Sequence, residues 1–106
     1  MYDTIKQQLY KQLLALAANR GLPKAIKLEI YDNDAALKLF RPNEAWAGGC
    51  NEHTALMGVL KADVEQDFGL KVKLVLINTN DFIQWAKAHG KDIDDDAARA
   101  EYISTR

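Results

Sequence analysis

The chain has 106 residues, 48% hydrophobic and 27% charged, a balance that suits one globular domain and excludes a disordered chain. Lys and Arg number 14 and Asp and Glu 15, so a net charge of −1 lacks the basic excess of a protein built to grip nucleic-acid phosphates. A single cysteine excludes an internal disulfide and no run reaches the ~20 apolar residues of a membrane helix, so a cytoplasmic, reducing setting is expected.

From Asp3 to Arg20, Ile5, Leu9, Leu13, Leu16 and Ala17 recur at steps of three and four, with Leu14 widening the stripe, which predicts an amphipathic helix. Asp3 or Thr4 is the expected cap, and Gly21 with Pro23 the stop. From Ala25 the period becomes two, with Ile26, Leu28 and Ile30 alternating with Lys27, Glu29 and Tyr31 as in a strand buried on one face. Asp32-Asn33-Asp34 reads as a turn, and Leu37 and Leu39 as a returning strand, so a β-hairpin is expected.

Arg41 to Gly49 reads as a loop broken by Pro42 and the Gly48-Gly49 pair. A helix should run from about Asn51 to Phe68, with Leu56, Met57, Leu60, Val64 and Phe68 on one face and Gly69 as its stop. Val72 to Ile77 then forms a strand that ends apolar on both faces, which predicts a central position. A short helix carrying Phe82, Trp85, Ala86 and His89 follows, and a last one over 97–103 starts behind Asp94-Asp95-Asp96. The expected fold is α+β in the order α-β-β-α-β-α-α, one domain over 1–106 with a three-stranded antiparallel or mixed sheet and helices packed on it.

Trp46-Ala47-Gly48-Gly49-Cys50-Asn51-Glu52-His53 gathers the rarest side chains of the chain. A cysteine opening a helix sits where free N–H groups and the positive dipole end favour a thiolate. A cysteine at a helix start, then Gly69 and the strand Val72–Ile77, resembles the core of transglutaminase-like and papain-like cysteine enzymes over about 48–77. That resemblance implies a histidine base on a later strand, whereas His89 falls at a helix end. The plainer reading makes Cys50 a small buried hydrophobe and Gly-Gly a tight loop.

Cys50 and His53 share a helix face, but His89 is the only further histidine and there is no second cysteine, so no metal is expected. Asp92 to Asp96 lacks the Gly and Glu of a calcium loop, at Ala97 and Ile103. The glycines match no phosphate-cradling spacing, so no cofactor is expected either. The expected function is a non-catalytic accessory or inhibitor-type module, monomer or homodimer, binding another protein through Arg41, Trp46, Cys50, Glu52 and His53 or through a sheet edge. The alternatives are a thiol enzyme using Cys50 with His53 or His89, and a weak nucleic-acid binder using Lys24, Lys27, Lys71 and Lys73.

Overall fold

A computed structural model describes residues 2–106 and gives the order α1 (Tyr2–Asn19), β1 (Ala25–Ile30), α2 (Asp34–Phe40), α3 (Gly49–Phe68), β2 (Lys71–Leu76), α4 (Thr79–Ala88) and α5 (Asp96–Ser104). The expected hairpin is not formed. Its second strand is the helix α2, because Asn33 is a cap and not a turn residue: its side chain accepts the Ala36 N–H at 2.7 Å. Ala36, Leu37 and Phe40, three and four apart, then bury one helical face.

Without that strand the sheet, among the described residues, has two strands, and they are parallel, not antiparallel or mixed. Parallel pairing follows from the connection. The chain must return to the starting end of the sheet before β2, and α2 and α3 supply that crossover. Ala25 pairs with Lys71 and Ile30 with Leu76 in an unbroken register. The expected central position of β2 is therefore also corrected: it is an edge, and its doubly apolar end is covered by helices on both faces.

Ile26, Leu28 and Ile30 stand beside Val72 and Leu74 on one face, against Leu13 of α1 and Met57, Leu60 and Val64 of α3. Tyr31, Val75 and Ile77 face the other layer, where Phe40, Phe82, Ala86, Tyr102 and Ile103 close a second core from α2, α4 and α5. Helix α1 uses less of its stripe than the spacing predicts: Leu13 is buried, while Leu14 and Leu16 are exposed. Instead Tyr2 and Tyr10 donate to Asp63 at 2.6 Å and Asp67 at 2.5 Å, strapping α1 along α3. Gly21 and Gly69 take positive φ at the ends expected for α1 and α3. No described helix is long and apolar enough to cross a membrane.

Candidate functional site

The junction between α2 and α3 is fixed at both ends by carboxylates. Asp34, in the first turn of α2, accepts the Cys50 N–H at 2.7 Å, and Glu52 reaches back to the Gly48 N–H. The first contact requires a glycine. Gly49 has φ +66, and a Cβ there would stand 2.4 Å from Asp34 Oδ1. The positive end of α3 is thus occupied by Asp34 and Glu52 rather than left open to a thiolate.

Cys50 is buried, and its Sγ–H donates to the Tyr31 carbonyl at 3.3 Å. His53, one turn on, packs its ring on Tyr31 at 5.2 Å and edge-on against Trp46 at 4.9 Å between centroids. Trp46 is half-buried and folds back over the core, its Nε1 donating to Glu44 at 3.0 Å. His89 is elsewhere, stacked on Trp85 at the exposed end of α4. The structure therefore brings Arg41, Trp46, Cys50, Glu52 and His53 into one region and leaves His89 out. Among the described residues no hydrogen bond joins Cys50 to either histidine, and no group of three His, Cys, Asp or Glu could hold a metal.

Beneath the junction lies an ion network that the sequence pattern does not reveal. Glu29 of β1 accepts from Arg41 Nη2 and, at 2.9 Å, from Arg99 Nε of α5. Arg41 also donates to Glu44 and to the Tyr31 hydroxyl, while Arg99 donates to the Phe40 carbonyl at 2.7 Å and to Asp96. Arg99 is only 1% exposed. A continuous polar chain thus links Trp46, Glu44, Arg41, Glu29, Arg99 and Asp96, with every buried charge paired as burial demands.

Burial, together with the network's charges, sets the protonation states around it. Burial pushes the His53 imidazole down to about 4, and the Arg41 charge adds to this against Glu29 and Glu44. His53 is thus neutral at pH 7, and its Nδ1 is buried without a hydrogen-bond partner. Burial, helped by the Glu29 charge, raises the Tyr31 phenol far above its usual range. Burial opposes the Arg41 charge, but Glu29, Tyr31 and Glu44 together outweigh it and keep the guanidinium protonated.

Two concavities meet this region. A cleft of about 580 Å³ opens between α2 and the loop, lined by Asp34, Leu37, Lys38, Glu44, Trp46 and Gly49 among others. A groove of about 160 Å³ runs on the other side, where His53, Glu29 and Arg41 meet apolar residues of α1, α3 and α5. No protein-family model and no curated protein matches the chain.

Proposed function

We propose that this domain is a non-catalytic protein-interaction module that docks a partner at the Arg41–His53 junction. The observation that carries this reading is the cleft of about 580 Å³ walled by Leu37 and Trp46, with Asp34, Lys38 and Glu44 contributing charge. Concave, largely apolar surfaces with a few placed polar groups are where binding concentrates. The loop is tied down by Glu44, Asp34 and Glu52, so little ordering cost falls on the binding event. Trp46 supplies the broad, stiff ring that recurs at energetic centres of interfaces.

The thiol-enzyme reading has less support, since Cys50 is buried and its proton is spent on a carbonyl oxygen. The occupant that fits the cleft is an apolar anchor side chain of another protein.

The test places a photo-crosslinking amino acid at exposed Ala47, on the cleft wall, and in parallel at Leu14 on α1. A discrete adduct with one protein, formed from position 47 and not from 14, is expected in cell extract. Trp46→Ala should weaken that partner's binding at least tenfold, about 1.4 kcal/mol, with the circular dichroism spectrum unchanged. Equal labelling from both positions, or unchanged affinity in the variant, would overturn the reading.

A further inference from the structure

We infer that the outer edge of β1 is an acceptor site for an extended, uncharged peptide segment of another polypeptide, which adds to the sheet as a third strand between α1 and α5. The site is separate from the Trp46 cleft, and either could fail without the other.

The hydrogen-bond phase of the sheet locates the free edge. Lys71 N–H donates to the Lys24 carbonyl at 3.0 Å and Ile77 N–H to the Ile30 carbonyl at 3.0 Å. With Ala25 opposite Lys71 and a parallel ladder, the even-numbered residues of β1 turn their backbone groups to β2. The odd-numbered ones, Ala25, Lys27 and Glu29, turn theirs outward. Tyr31, next in that series, has its outward carbonyl closed by the Cys50 thiol. Among the described residues nothing pairs with the N–H or C=O of Lys27 or Glu29. Two donors and two acceptors therefore repeat about 6.6 Å apart along the edge, the spacing of alternate residues in a strand. Glu29 is only 9% exposed, and unpaired backbone groups at so buried a residue are costly unless something meets them.

The surroundings select the occupant. The groove over this edge is walled by Ile5 and Leu9 of α1 on one side and by Ala100 and Ile103 of α5 on the other. Its charges are already spent within the molecule. Lys27 donates to the Ser104 carbonyl at 3.1 Å, Glu29 is held by two arginines, and Asp96 is held by Arg99. A segment with charged side chains would find no counter-charge there, whereas small and apolar side chains match both walls. His53 adds an uncharged side chain to the groove. It lines the same groove at 1% exposure, and its Nδ1 has no partner. Because both walls stand beside the edge, a single extended segment fits where the edge of a second folded copy would meet them first. Main-chain bonds would supply affinity and the walls would select the side chains, as in other cases of strand addition.

The probe is a strand tethered to the intact chain. A Gly/Ser linker behind Arg106 carries the segment Ser-Val-Ala-Val-Ala-Val-Ser, and a control carries Ser-Asp-Ala-Lys-Ala-Asp-Ser. The Lys27–Ser104 contact places the end of α5 beside β1, so a short linker spans the distance at high effective concentration. Amide exchange is followed by NMR. In the untethered protein the Lys27 and Glu29 amides should exchange at least a hundredfold faster than those of Leu28 and Ile30. The apolar segment should slow both at least tenfold, the charged one should not, and Ala100→Trp, which fills the groove, should abolish the effect. The inference is overturned if the Lys27 and Glu29 amides are already protected in the untethered monomer. Protection in a β1-paired dimer seen by sedimentation, failure of the apolar segment to slow either amide, or equal slowing in the Ala100→Trp chain would each overturn it too.

Discussion

The two faces of the sheet are held in different ways. On the α1–α3 face, Leu13, Met57, Leu60, Val64, Leu70 and Val72 form an apolar cluster, and the side-chain bonds that join α1 to α3, from Tyr2 and Lys6 to Asp63 and from Tyr10 to Asp67, lie at its margin. On the α2–α4–α5 face, stacked and edge-on aromatics surround Glu29, Arg41 and Arg99. Apolar packing is non-directional and tolerates a change of shape at constant volume. A buried ion network does not, since each member is acceptable only while its partners are present. The first face supplies cohesion and the second supplies geometry, and the candidate site belongs to the second.

The largest effect should come from removing the centre of the network. Glu29→Ala leaves two guanidinium groups buried side by side, and a loss of about 3–5 kcal/mol in urea unfolding is expected. Replacing Glu29, Arg41 and Arg99 together with apolar residues of similar size should restore much of that loss. If the single variant costs as little as a surface substitution, the two faces do not differ in kind.

A second effect is pH-dependent. His53 titrates near 4 in the folded chain and near 6.5 when unfolded, so as pH falls from 6.5 the unfolded state takes up the proton first. Stability should therefore decline between pH 6.5 and pH 4, by about 1.4 kcal/mol per unit, and level off below. The groups that face His53 are Glu29, Arg41, Glu44, Tyr31 and Trp46, and removing the imidazole alone isolates its contribution from theirs. The readout is accordingly the difference between the wild type and His53→Leu. That difference should slope across the window, and a flat one would refute the assignment.

The smallest effect belongs to the apolar face. Leu60→Met, at a position 1% exposed, should cost less than about 1.5 kcal/mol and leave the denaturant slope unchanged. A larger loss there would show that this face too is specified by shape.

The elements that were legible in the sequence are those whose local chemistry and packing agree. The helices α1, α3, α4 and α5 and both observed strands carry their period and their stops in neighbouring residues. The second helix was hidden because Leu37 and Leu39 alternate like a strand, and Asp32-Asn33-Asp34 serves a turn or a cap equally well. What decides between them is Ala36–Leu37–Phe40 against the core, which is tertiary information. Once α2 is misread, strand count and strand direction fail with it.

The site was legible in part. Rarity and glycines drew attention to Trp46–His53, whereas Glu29 looked like the solvent side of an alternating strand. Its burial follows from α5 lying on that face. One signal was available: Arg99 stands inside the apolar series Ala98, Tyr102 and Ile103, which a surface arginine would interrupt. Arg41, expected among the residues that bind a partner, is spent mainly on the protein's own carboxylates.

Asp34 has a consequence beyond holding a loop. It stands in the first turn of α2 and accepts the Cys50 N–H in the first turn of α3, so one residue ties the starts of two helices together. Fraying at the start of α2 would release that bond of α3 as well, so opening of the two helix starts is coupled through Asp34. The cleft beside Trp46 lies between these two helix starts. A partner bound there would therefore steady the starts of both helices at once.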